Sequence, residues 1–123
     1  MHASTRRLTA LVLCALMLAA CGGSRATVRE RSGAFAVTLD DYLIRPQKLR
    51  VPSGEVTVTV TNRGRLGHTF RIRGKSRNAL AITTLRPGES KTRSVRLKRG
   101  TYTMYCVLAN HEELGMRGTL VVG

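Results

Sequence analysis

The chain has 123 residues, of which 21 are Lys or Arg and 7 are Asp or Glu, so its formal net charge at pH 7 is +14. This length is enough for a single hydrophobic core but not for two. The excess of positive charge favours anionic partners, such as membrane surfaces and acidic proteins.

The first 20 residues have the features of a signal peptide. Arg6 and Arg7 precede an apolar run at 8–20, which is too short to span a bilayer comfortably. Residues 18–21, LAAC, resemble a bacterial lipobox, which predicts cleavage before Cys21 and lipidation of that cysteine. The alternatives are an ordinary secretory signal or a short buried helix. We therefore expect an exported protein, held by a lipid on Cys21 to the extracytoplasmic side of the cell membrane.

Export argues against nucleic acid as the partner of this basic chain. Residues 22–33, GGSRATVRERSG, are polar and lack hydrophobic periodicity, so we expect a flexible tether. Residues 34–123 then form a single domain. Cys14 would leave with the signal peptide and Cys21 would carry the lipid, so Cys106 alone would remain in the domain, where no disulfide could form.

The pattern of residues 34–123 predicts an all-β domain. At 55–61, Val56, Val58 and Val60 alternate with threonines, which is typical of a strand with one buried face. Turn signals rich in Gly, Pro and Asn separate this strand from the other predicted strands, which are 34–40, 48–51, 68–72, 81–85, 91–97, 101–106 and 118–122. Short strands with regular turns predict a Greek-key β-sandwich of about seven to eight strands.

Four side chains of this domain form a candidate metal site. Cys106, His111 and Met116 lie on one short segment, and His68 begins a predicted strand; the third histidine, His2, belongs to the signal peptide. A thiolate and two imidazoles with a weak axial thioether are the ligands of a blue-copper electron-transfer centre. By the alternation of its strand, His68 points inward, and the loop after Cys106 can fold over the same end of the sandwich.

Each of these residues alone has a simpler explanation. Cys and Met are common in protein cores, and a lone His is more often a surface residue than a ligand. Their combination favours copper, because both histidines of the domain fall where such a site needs them. Zinc is disfavoured because methionine is a poor zinc ligand.

The stretch 62–70, the sequence GTYTMYC ending at Cys106, and the closing MRGTLVV resemble the cupredoxins, the type 1 blue copper proteins. The likeness covers residues 34–123. The four-residue gaps on both sides of His111 are similar to those of rusticyanin-like and sulfocyanin-like members rather than plastocyanin. The resemblance implies one copper ion bound by His68, Cys106, His111 and Met116, and a role in carrying single electrons.

An enzyme is the main rival. A multicopper oxidase needs several histidine pairs, typically with histidines beside the copper cysteine, whereas Tyr105 and Val107 flank Cys106. A copper-binding protein for homeostasis or for delivery to an oxidase would have the same ligands and stays an alternative. We expect a monomer whose redox partner is anionic or membrane-bound.

Two smaller expectations concern neighbours of the site. The adjacent acids at 40–41 and at 112–113 predict solvated loop charges. Thr69 is a candidate for a hydrogen bond to the backbone beside Cys106 that would tune the thiolate, although a strand threonine is usually only solvated.

Overall fold

The computed structural model describes residues 25–123, so the predicted signal peptide and Cys21 lie outside the described residues. No helix in the described part of the chain is long and apolar enough to cross a membrane. The described residues form ten strands: β1 (Val28–Arg29), β2 (Ala34–Asp40), β3 (Leu43–Arg45), β4 (Lys48–Val51), β5 (Gly54–Asn62), β6 (His68–Arg73), β7 (Asn78–Leu85), β8 (Ser90–Leu97), β9 (Gly100–Tyr105) and β10 (Arg117–Val122).

The strands form two mixed sheets. The six-stranded sheet has the order β1-β4-β10-β9-β6-β7, and the four-stranded sheet has the order β3-β2-β5-β8. Buried side chains from both sheets form one hydrophobic cluster. The prediction of an all-β sandwich is confirmed.

Strand β5 shows how the sequence pattern produces the two layers. Val56, Val58 and Val60 are buried, as their alternation predicts. The threonines on the other face form a ladder of hydroxyl hydrogen bonds with β8, at 2.8 Å for Thr57 and Ser94, 2.9 Å for Thr59 and Thr92, and 2.7 Å for Thr61 and Ser90. The apolar face therefore builds the core, while the polar face reinforces the pairing.

Strands β6 and β9 position the candidate site. They pair antiparallel, with Arg71 opposite Tyr105 and Ile72 opposite Met104. In this register the first residues of β6 lie beside the residues that follow β9. We call this the site end of the sandwich.

Two short strands, β1 and β3, extend the predicted set. Strand β1 lies within the predicted tether, where it pairs in parallel with β4, and the backbone N–H of Glu30 donates to the carbonyl of Arg50 at 2.9 Å. Strand β3 pairs antiparallel with the end of β2. Segments of two or three residues are too short to show alternation, so their pairing depends on the neighbouring strand.

Candidate metal centre

Three of the four predicted ligands meet at the site end. One ligand atom from each of His68, Cys106 and His111 lies within 4.8 Å of the others. Nδ1 of His68 is 3.3 Å from Nδ1 of His111, and Sγ of Cys106 is 3.7 Å from that same His111 nitrogen. Residues separated by 43 positions in the sequence therefore present their donor atoms to one small volume.

His68 is the first residue of β6, and its side chain is completely buried. Its Nε2 lies 3.0 Å from Oδ1 of Asp41. The backbone N–H of Arg65, with help from the His68 ring, lowers the pKa of Asp41 to about 2. A carboxylate only accepts hydrogen bonds, so Nε2 of His68 carries a proton, and in the neutral ring Nδ1 keeps its lone pair.

Cys106 directly follows β9 and is a buried free thiol. Its sulfur accepts hydrogen bonds from the backbone N–H of Thr69 at 3.4 Å and from the Thr69 hydroxyl at 3.5 Å. The same hydroxyl accepts the backbone N–H of Val107 at 2.9 Å. The contact with Val107 is the predicted hydrogen bond to the backbone beside Cys106, and the two contacts with the sulfur are additional. Thr69 makes all three because it faces Cys106 across the β6 and β9 pairing.

Residues 107–116, here called the ligand loop, carry His111. The loop is a series of turns in which the backbone N–H of His111 donates to Leu108 at 3.0 Å and that of Met116 donates to His111 at 2.9 Å. The His111 ring is only partly buried and packs edge-on against Tyr42, with ring centroids 5.2 Å apart. His111 is therefore the donor nearest to solvent.

Met116 ends the ligand loop directly before β10 and is completely buried. Its backbone carbonyl accepts the N–H of Cys106 at 3.2 Å, which places the two residues side by side at the site end. This position suits both an axial ligand and a core side chain.

The prediction of solvated charges at 40–41 and 112–113 is wrong for two of the four acids. Asp41 accepts hydrogen bonds from His68 and from the turn before β6. Glu112 pairs with both terminal nitrogens of Arg73, and this pairing raises the pKa of the arginine. Sequence spacing could not reveal these contacts, since the partners lie 27 and 39 positions away.

Exposed apolar side chains surround the site end. Tyr42 touches His111, Leu66 lies two residues before His68, and Val107 and Leu114 belong to the ligand loop. They account for all but one of the large exposed apolar side chains among residues 25–123, and the other is Val28.

The donor set fits copper. A thiolate and two imidazoles suit both Cu(I) and Cu(II), and a buried thioether beside them fits the weak axial ligand of blue-copper sites. The two imidazole nitrogens face each other at 3.3 Å, an arrangement that a cation between them would stabilise. The residues present therefore match the group that the sequence predicts.

Solved structures of similar fold include the dithionite-reduced auracyanin of Roseiflexus castenholzii, with 21% identity, a TM-score of 0.70, and coverage of 76% of this chain and 99% of that chain. Auracyanin A of Chloroflexus aurantiacus, a blue copper protein, has 17% identity, a TM-score of 0.65, and coverage of 76% and 100%. Rusticyanin of Thiobacillus ferrooxidans has 20% identity, a TM-score of 0.64, and coverage of 79% and 82%. Identities this low establish the fold alone.

The family itself follows from the sequence. No curated protein matches the chain. The sequence model of the cupredoxin-like domain family, however, matches residues 8–122, which include every strand of the sandwich and all four predicted ligands. The chain therefore belongs to the cupredoxin-like family, whose domains each bind one copper ion.

Proposed function

We propose that this protein is an exported, membrane-anchored carrier of single electrons, with one copper ion held by His68, Cys106, His111 and Met116. The observation that carries the proposal is the convergence of three donor atoms within 4.8 Å at a buried site. Bound copper would supply a one-electron couple between Cu(I) and Cu(II).

The surrounding residues suit electron transfer because they restrain the ligands. His68 is held by Asp41, and Cys106 is held by two hydrogen bonds from Thr69. Both side chains are completely buried, so few alternative positions are open to them. Ligands that stay in place when the metal changes its charge keep the reorganisation energy low.

The surface around His111 supports docking of a redox partner. His111 is the most accessible donor, and Tyr42, Leu66, Val107 and Leu114 give its surroundings an apolar character. A protein partner that covers this surface would bring its own redox centre close to His111. Cleavage before Cys21 would remove Arg6 and Arg7 and lower the net charge from +14 to +12. This positive charge would favour an anionic or membrane-bound partner and speed the encounter.

The anchor is proposed from the LAAC sequence at 18–21. Because β1 begins at Val28, six residues connect Cys21 to the sheet, and the distance from Cys21 to Val28 is at most about 25 Å. Such a connection would keep the domain close to the membrane. Cys21→Ser should abolish metabolic labelling with palmitate, and labelling that persists in the variant would contradict the anchor.

The electron-carrier proposal is tested by redox cycling in the presence of a Cu(I) chelator. The copper-loaded protein should pass through repeated reduction and oxidation with its colour and copper content unchanged. Loss of copper to the chelator within a few cycles would contradict an electron carrier. That result would favour the alternative, a protein for copper homeostasis or for delivery to an oxidase.

A further inference from the structure

Within residues 25–123, Asp41 is the one carboxylate hydrogen-bonded to the side chain of a predicted copper ligand. We propose that Asp41 is a positioning residue that fixes the tautomer of His68 and whose negative charge, directly behind the ring, stabilises the oxidised copper ion. The inference deepens the proposed function and rests on it.

The geometry leaves one arrangement for the His68 proton. Oδ1 of Asp41 lies 3.0 Å from Nε2 of His68 and also accepts the backbone N–H groups of Arg65 at 3.0 Å and Leu66 at 3.1 Å. A carboxylate can only accept hydrogen bonds, so its contact with the ring requires a proton on Nε2. In the neutral ring the opposite nitrogen, Nδ1, then has its lone pair available toward Cys106 and His111.

The turn between β5 and β6 encloses this contact. The buried side chain of Asn62 accepts the backbone N–H of Gly64 at 2.9 Å and donates to the carbonyls of Leu66 and Leu85, both at 2.8 Å. A Cβ on Gly64 would collide with the Asp41 carboxylate and would lie 3.0 Å from Nε2 of His68. Only glycine therefore lets the turn pack this closely against the Asp41 and His68 pair.

The negative charge of Asp41 lies close enough to the site to stabilise Cu(II) relative to Cu(I). The Asp41 side chain is 22% exposed and the His68 ring is completely buried, so the solvent screens their interaction only in part. A negative charge behind one ligand favours the ion of higher charge, Cu(II). A metal-bound histidine that donates its second ring N–H to a carboxylate also becomes a more basic ligand, which acts in the same direction.

A purely structural role is the competing explanation, because Asp41 also holds the turn through Arg65 and Leu66. Asp41→Asn separates the two explanations, since the amide oxygen still accepts hydrogen bonds but the charge is gone. Asp40→Asn is the matched control. It removes the same charge from the neighbouring residue, whose carboxylate pairs with Arg45 at 2.8 Å.

The test measures the redox equilibrium of full-length, copper-loaded protein against a mediator. Asp41→Asn should shift the equilibrium about tenfold toward Cu(I), and Asp40→Asn should leave it within about twofold of wild type. Equal shifts in the two variants would overturn the proposal, as would no shift in Asp41→Asn with the colour retained. Absence of thiolate colour in the wild-type protein would instead contradict the proposed function.

A second measurement needs no variant and no metal. In the ¹⁵N spectrum of the copper-free wild-type protein, recorded under conditions where the His68 ring carries one proton, that proton should lie on Nε2 and be hydrogen-bonded to a carboxylate. Asp41→Ala should mix the two tautomers. A wild-type ring with its proton on Nδ1 would overturn the proposal even if Asp41→Asn fails to fold.

Discussion

The four predicted ligands come from two different kinds of structure. His68 and Cys106 lie at the ends of paired strands and are completely buried. His68 donates a hydrogen bond to Asp41, and Cys106 accepts hydrogen bonds from Thr69. His111 belongs to the ligand loop, is partly exposed, and is positioned by turns within that loop. The difference indicates that the strands fix the geometry of the site, whereas the loop controls access to it.

The ligand loop is nevertheless attached to the sandwich at several points. Met116 is buried beside Cys106, and Glu112 pairs with Arg73 of β6. The guanidinium of Arg73 also lies 4.2 Å from the centroid of the Tyr105 ring. These contacts hold His111 near the strand ligands while its ring stays open to solvent on one side.

We expect the largest effect, loss of the copper colour, when either of the two histidines is replaced. His68→Ala and His111→Ala should both abolish the native colour of the copper form. Added imidazole should restore a thiolate-copper band in His111→Ala, because that position opens to solvent, but not in His68→Ala, where the cavity is closed. Absorption titrations measure both, and equal rescue of the two variants would contradict the division between strand and loop ligands.

We expect a smaller effect, a change in the reduction potential, when Met116 at the buried end of the ligand loop is replaced. Met116→Gln should lower the reduction potential because the amide oxygen binds Cu(II) more strongly, and Met116→Leu should raise it because leucine has similar volume but no donor. Voltammetry of both variants tests this. Shifts in the same direction, or no shift in either, would remove Met116 from the site and leave it as a packing residue.

The smallest effect is expected at Thr69, which connects the strand ligands. Thr69→Val removes the hydroxyl that accepts the Val107 N–H, so the free energy of unfolding should fall by about 1 kcal/mol. Thr69→Ser keeps the hydroxyl, so its free energy of unfolding should stay close to that of the wild-type protein. Urea unfolding of the copper-free proteins is the measurement, and equal stability of the two variants would show that the hydroxyl contributes nothing.

Much of the fold could be predicted from local patterns. The bounds of β2 and β4 agree with the prediction, and the valines of β5 face the core, because alternation along one strand is visible in the sequence itself. The convergence of His68 with Cys106 and His111 followed from strand ends and loop length, which are also local features.

The contacts around His68 could not be predicted in this way. Asp41 reaches His68 only because a turn follows β2 and a second turn follows β5, and neither turn specifies the other in the sequence. The two acids at 40–41 look alike, yet Asp40 pairs with Arg45 at the surface while Asp41 contacts a buried ring. Such differences arise from tertiary packing, which residue type alone does not encode.

The central claim, one copper ion bound through the Cys106 thiolate, is tested most directly by titrating the copper-free protein with Cu(II) while its visible absorption is recorded. The wild-type protein should develop an intense thiolate-to-copper band that saturates at one copper per chain. Cys106→Ser should remain a folded β-sandwich and show no such band. Copper binding without the band in the wild-type protein, or equal colour in Cys106→Ser, would contradict the account.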